Sequence, residues 1–131
     1  MIMQNMILRF EIFTADTKRS VEFYKNILRF EHTREDVNDR YHVVKRGSVQ
    51  IGIGLAEKLK ENHYFRPEIL EQRKGLGVEI VLEVDDILKE YDEVKKTRYS
   101  IESPLVKREW GLIDFRLVDP DGYYLRITSR S

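Results

Sequence analysis

The chain has 131 residues, 41% of them hydrophobic and 35% charged, and its 23 basic and 23 acidic side chains cancel to a formal net charge of zero. That length fits one domain able to bury a core, and the balanced charge argues against nucleic acid or an anionic membrane as partner. The absence of cysteine excludes disulfides and thiolate chemistry. No apolar run reaches the roughly 20 residues that span a bilayer, and the apolar start, Met1 to Met6, lacks the basic region and cleavage site of a leader, so a soluble cytoplasmic protein is expected.

Ile7 to Phe13 alternates, with Leu8, Phe10 and Ile12 on one side and Arg9, Glu11 and Phe13 on the other, the pattern of a half-buried strand. Asp16 and Thr17 offer N-caps to a helix from about Lys18 to Leu28, with Val21, Tyr24, Ile27 and Leu28 on one stripe. A turn-rich charged stretch follows, then strands at Tyr41–Lys45 and Ser48–Ile53 around Arg46-Gly47. Residues 57–76 read as a connector, dense in charge, with Pro67 placed to start a short helix through Glu71. The pattern then restarts. Val78, Ile80, Leu82 and Val84 alternate with Glu79, Val81 and Glu83, and Asp85-Asp86 caps a helix whose stripe is Ile87, Leu88, Tyr91 and Val94. Strands are expected near Ser100–Ile101, at Ile113–Val118 and at Tyr123–Thr128, the last two joined by the turn Asp119-Pro120-Asp121-Gly122. Each half therefore reads β-α-β-β(-β), an internal duplication visible in the order of elements.

These features together resemble the vicinal oxygen chelate superfamily, which includes glyoxalase I, bleomycin-resistance proteins and extradiol dioxygenases. The resemblance rests on Ser20 followed by Phe23-Tyr24 on the first helix, Gly77-Val78-Glu79 opening the second half, and the closing Asp-Pro-Asp-Gly hairpin. It covers nearly the whole chain. It implies an α+β fold in a single domain, 1–131. Two βαβββ modules, about 6–56 and 77–131, curl into a cup-shaped mixed sheet with helices outside. It also implies a homodimer.

In the family, metal ligands face the cup from the first and last strands of each module. Counted from Asp16, Asp85 and Asp119, the matching positions are Arg9, Glu79 and Arg126; the fourth is Gln50 or Gly52. Arginine stays protonated and does not ligate, so no metal and no cofactor are expected. The three histidines, His32, His42 and His63, lack paired ligand spacing, and a surface or structural role is expected for each. Gly52-Ile53-Gly54 lacks the further glycine and helix start of a phosphate loop.

Strand parity turns Arg9, Glu11, Glu79, Glu83 and Arg126 toward the cup, with Tyr124 beside them and Arg116 a further candidate. Two readings stay open: an Arg9–Glu79–Arg126 ion-pair network that plugs a disused site, or guanidinium forks that bind a carboxylate or phosphate. Phe23 and Tyr24 are expected in the core. Tyr64, Phe65 and Trp110 stand near where the family closes its pocket. The functional expectation is a metal-independent, bleomycin-resistance-like protein that binds a small molecule through Arg9, Glu11, Gln50, Glu79, Trp110, Tyr124 and Arg126. The alternatives are a metal-free glyoxalase-like lyase or isomerase with Glu79 or Glu83 as general base, and a structural domain that has lost its pocket.

Overall fold

The computed structural model describes residues 3–35, 39–59, 62–65 and 72–130. Module one runs β1 (Arg9–Thr14), α1 (Thr17–Glu22), β2 (Glu31–Glu35), β3 (Tyr41–Arg46) and β4 (Val49–Leu55). Module two runs β5 (Glu79–Val84), α2 (Ile87–Lys96), β6 (Ser103–Lys107), β7 (Ile113–Val118) and β8 (Tyr124–Ser129). Each module makes one four-stranded mixed sheet, ordered β1-β4-β3-β2 and β5-β8-β7-β6. The first strand of each lies parallel to the last, and the remaining pairs are antiparallel. The duplication read from the sequence is thus a duplication of topology, in an α+β fold of two open sheets.

Parity sorts the faces. Ile12, Val44, Ile51 and Ile53 from one sheet, with Phe115, Leu117, Leu125 and Ile127 from the other, are essentially without solvent contact and share one core with Val21, Phe23 and Tyr24. The opposite faces carry the charges. Asp16 caps α1 and Asp86 caps α2, each accepting from the backbone three residues on. The first helix is not uniform. After Glu22 it widens into a π turn, Phe23–Ile27, which admits one more residue per turn and lets adjacent Phe23 and Tyr24 both reach the core.

Three differences from the sequence reading have physical causes. The charged stretch after α1 contains β2, an edge strand exposed along most of its length, so it lacks the apolar alternation that betrays a strand. The strand expected near Ser100 begins at Ser103 and carries Pro104, which is tolerated because β6 is also an edge. Within α2, Leu88 is 59% exposed while Glu90 is 3% exposed: Glu90 stands three residues after Ile87, on the buried stripe. The short helix expected from Pro67 to Glu71 lies outside the described residues.

The Asp-Pro-Asp-Gly turn does more than reverse the chain. Gly122, at φ 102°, supplies the left-handed residue. Asp119 Oδ1 accepts from the backbone N–H groups of Asp121 and Tyr123, both at 2.9 Å, and its other oxygen accepts from Tyr24 Oη at 2.8 Å. Asp121 accepts from Ser20 Oγ and Thr14 Oγ1, each at 2.7 Å. Both turn carboxylates thereby fasten module two to module one, and Ser20 is a structural donor. Burial pushes the Asp119 carboxyl up to about 6, against the hydrogen bonds from Tyr24 and the turn backbone that pull it down. A carboxyl raised on folding binds its proton more tightly in the native state. Stability from this group is therefore gained as pH falls through 6 toward 4 and lost as pH rises through the same window. Taking the protein from pH 7.5 to 5 should add about 1–2 kcal/mol. Asp119→Asn, which keeps the acceptor for the turn N–H groups, should flatten that slope in chemical denaturation; an equal slope in the variant would assign it elsewhere.

Candidate functional site

The two sheets present their charges on the faces turned away from the core. On sheet one, Arg9 Nε stands 3.1 Å from Glu11 Oε1, and Glu11 also accepts from Tyr41 Oη at 2.8 Å. This crossing needs Gly52 beneath it, because a Cβ there would collide with the Glu11 carboxylate and the Tyr41 hydroxyl. Gln50 lies in register with Arg9 and Gly52 with Glu11, so both candidate fourth positions share this face.

Sheet two carries a denser cluster. Asp114 is fully buried and accepts from Arg108 Nε at 2.9 Å, while Arg116 Nη2 stands 3.5 Å from its other oxygen. Arg126 Nε lies 3.1 Å from Glu79 Oε1, and Arg116 Nη1 lies 3.9 Å from the same atom. Arg116 and Arg126 are direct cross-strand partners on β7 and β8, a like-charge arrangement that is unfavourable without compensation. Their Nε atoms and Asp114 Oδ2 are buried, with no hydrogen-bond acceptor or donor in satisfactory geometry. Buried polar groups normally have partners. Three guanidiniums here face two carboxylates, leaving positive charge in excess, and neither Nε makes a well-formed hydrogen bond although Arg126 Nε is ion-paired with Glu79. The Tyr124 ring lies 5.9 Å from the Arg116 guanidinium, and the Trp110 ring 5.9 Å from that of Arg126; Trp110 is 58% exposed.

Between the edges of β1 and β5 runs a groove of about 930 Å³, walled by Leu8, Phe10, Ile12, Val78, Ile80 and Leu82 and bordered by Glu11, Gln50 and Glu79. Phe65 also lines it and meets Phe13 edge to face, with ring centroids 5.4 Å apart. Tyr64 is 91% exposed.

The network expected as Arg9–Glu79–Arg126 is therefore two separate sets: Arg9 pairs with Glu11, and Glu79 with Arg126 and Arg116. Glu83 is exposed and in register with Thr128. Asp114 and Arg108 were missed. Asp114 shares the parity of Arg116 along β7, so alternation alone could have found it; Arg108 is placed by the β6–β7 connection and has no local signal. Arg9, Gln50, Glu79 and Arg126, the residues that the resemblance matched to the family's ligands, make a poor set for a divalent cation. Two of them are guanidiniums, which cannot ligate, and Glu79 already pairs through Oε1 with Arg126.

The sequence profile of the glyoxalase/bleomycin resistance protein/dioxygenase superfamily matches residues 6–127. Among solved structures, a virulence protein from Salmonella typhimurium is 18% identical, with a TM-score of 0.74 and 100% of each chain covered. A member of the same superfamily from Sphaerobacter thermophilus is 21% identical, with a TM-score of 0.71, covering 98% of this chain and 100% of its own. TioX from a Micromonospora species is 14% identical, with a TM-score of 0.76, covering 97% and 100%. No curated protein sequence matches the chain. At these identities the solved structures establish the fold alone, whereas the profile spans nearly all of the sequence: the chain belongs to the glyoxalase/bleomycin resistance protein/dioxygenase superfamily.

Proposed function

We propose that the protein binds a small anionic molecule on the charged face of module two, without a metal at the family's ligand positions, and that it works as a cytoplasmic homodimer. The observation that carries this reading is the cross-strand pair Arg116 and Arg126, whose side chains are only 17% and 27% exposed and whose buried Nε atoms make no well-formed hydrogen bond, Arg126 Nε having the part-exposed Glu79 carboxylate at 3.1 Å as its counter-charge. A carboxylate or phosphate supplies two or more acceptor oxygens in the geometry a guanidinium fork prefers. Trp110 and Tyr124 offer aromatic faces beside it, and the adjacent apolar groove offers room for a hydrocarbon or ring.

Titration calorimetry against inorganic phosphate, a dicarboxylate and an arylcarboxylate tests this. At least one should bind saturably, and Arg126→Gln should weaken it by roughly tenfold, the scale of one charge-assisted hydrogen bond. No binding by any of the three, or equal binding by the variant, overturns the reading. Glu79→Gln should do the reverse. Glu79 is 39% exposed, so its pairs are worth about 0–1 kcal/mol and the melting temperature should barely move, while anions should bind more tightly because Arg126 loses its competitor. An unchanged anion affinity would detach Glu79 from the site.

Dimerisation is supported by apolar side chains exposed around the groove: Met6 at 96%, Leu8 at 75%, Leu76 at 69%, Val78 at 63% and Val81 at 41%. Strand edges and apolar rims of this kind are normally covered. Light scattering should report twice the 15.7 kDa chain mass; a monomer at micromolar concentration would leave the rim unexplained. The lyase or isomerase alternative has less support. Glu79 is engaged by two arginines and Glu83 is exposed, so neither carboxylate is presented to an enclosed reacting atom.

A further inference from the structure

We propose that the protein carries a binding site for a divalent transition cation, Zn²⁺ or a close relative, on the core side of sheet one at its outer edge. Its ligands are His42 Nε2 and the carboxylates of Glu35 and Asp39. One ligand atom from each lies within 4.8 Å of the others, a separation that a single ion can close to bonding distance with small side-chain rotations.

His42 is the decisive member. It is 2% exposed, and its Nε2 points at this cluster without a hydrogen bond of acceptable geometry, though Asp39 Oδ1 is only 3.3 Å away. A buried ring nitrogen left this way is unusual. Its other nitrogen is fixed: Nδ1 lies 3.0 Å from His32 Nε2. A cation on His42 Nε2 places the ring proton on Nδ1, where it donates to His32. This is the outer support that ligating imidazoles characteristically have.

Spacing along the chain does not advertise the set, and a β-bulge explains why. β2 pairs with β3 as His32↔Val44 and then, after a register shift, Glu35↔His42. In an unbroken strand, residues three apart point to opposite faces. The extra residue in the bulge reverses that parity, so His32 and Glu35 both take the face of Val44 and His42. Asp39 arrives by a different device. Its φ is +55°, a left-handed conformation that aspartate tolerates better than most residues, and Thr17 Oγ1, in the first turn of α1, donates to its carbonyl at 2.8 Å. A charged neighbour is Lys18, whose Nζ stands 3.5 Å from Asp39 Oδ2 and whose side chain is 74% exposed, able to swing into water when a cation arrives.

The donor set fixes the class of ion. One imidazole and two carboxylates suit first-row divalent metals, whereas Ca²⁺ takes oxygen ligands. Three protein ligands at a partly exposed edge leave a coordination position for water or another small ligand. Because the site lies across the sheet from Arg9 and Glu11 and in the other module from Arg126, it stands or falls independently of the anion site.

Zinc chloride titrated into tag-free full-length protein, followed by calorimetry and by the ring ¹⁵N resonances of His42, is the test. One Zn²⁺ per chain should bind, with the His42 Nε2 resonance moving in step. Glu35→Gln and Asp39→Asn, at accessible positions, should each weaken binding by roughly tenfold or more, and His42→Gln should abolish it. Asp92→Asn, an exposed carboxylate on α2, should leave it unchanged. Circular dichroism of each variant separates lost binding from lost folding, and the wild-type resonance shift does not depend on any variant. An unmoved His42 resonance at saturating zinc, full affinity in both carboxylate variants, or Ca²⁺ bound as tightly as Zn²⁺ would overturn the assignment.

Discussion

Asp114→Ala is expected to be among the most damaging single substitutions in the chain, costing about 3–5 kcal/mol and lowering the melting temperature by roughly 10 °C or more. Asp114 has no solvent contact, and its ion-pair partners Arg108 and Arg116 are only 23% and 17% exposed. Removing the carboxylate strands two poorly hydrated guanidiniums, beside a third at Arg126. Asp114→Asn should be milder, because the amide oxygen can still accept from Arg108 while the charge is lost. The same group sets the acid limit. Burial pushes the Asp114 carboxyl up, but the hydrogen bond from Arg108 and the close guanidinium charges of Arg108 and Arg116 outweigh it and hold it below the usual carboxylate range. A carboxyl depressed on folding stabilises above its unfolded value, near 4, and that contribution is lost as pH falls through its lower native value. The stability profile should therefore rise on mild acidification, through Asp119, and collapse below about pH 4, through Asp114. An Asp114→Ala protein within 1 kcal/mol of wild type by urea denaturation would show that the arginine cluster is hydrated and not buried.

The fold was legible because its signals are local and repeated. Alternation at Leu8, Phe10 and Ile12 and again at Val78, Ile80 and Leu82, with Asp16 and Asp86 as caps and glycine in the closing turn, gave the duplicated topology. What was not legible was edge structure and polar burial. β2 has too few apolar residues to announce itself, and Glu90 reads as solvent-facing by residue type although helical spacing puts it inward. The site divided in the same way. Strand parity put Arg9, Glu11, Glu79 and Arg126 on the charged faces of the sheets, since a strand has only two faces. Partner choice was beyond it. Arg9 meets Glu11 two residues along its own strand instead of Glu79 in the other module, because the modules bring β1 and β5 near each other across a groove and not into register. The Glu35–Asp39–His42 grouping depends on a bulge and a left-handed aspartate, neither of which has a periodicity to read.

Glu90→Ala tests whether the two modules depend on each other. Glu90, on α2, receives Arg46 through two hydrogen bonds at 2.8 and 2.9 Å and Arg29 through one at 2.7 Å, and both arginines belong to module one. Arg46 also donates to the Leu28 carbonyl at 2.9 Å, closing the end of the first helix, and Arg29 beside it is held at φ 57°. One buried carboxylate thus anchors a chain reversal in the other module. The arginines are 38% and 36% exposed and can rehydrate, so the expected loss, about 2–3 kcal/mol, is smaller than for Asp114. A cycle of Glu90→Ala with Arg46→Ala should show coupling of about 1 kcal/mol or more. The variant should also lose cooperativity. The chain's single tryptophan, Trp110, lies in module two, whereas far-ultraviolet circular dichroism reports both modules. In wild type the two urea transitions should coincide; in Glu90→Ala they should separate, because the two-state condition fails once the modules unfold apart. Coincident transitions with an unchanged midpoint would place the modules' mutual support entirely in the shared apolar core and in the Asp119 and Asp121 contacts.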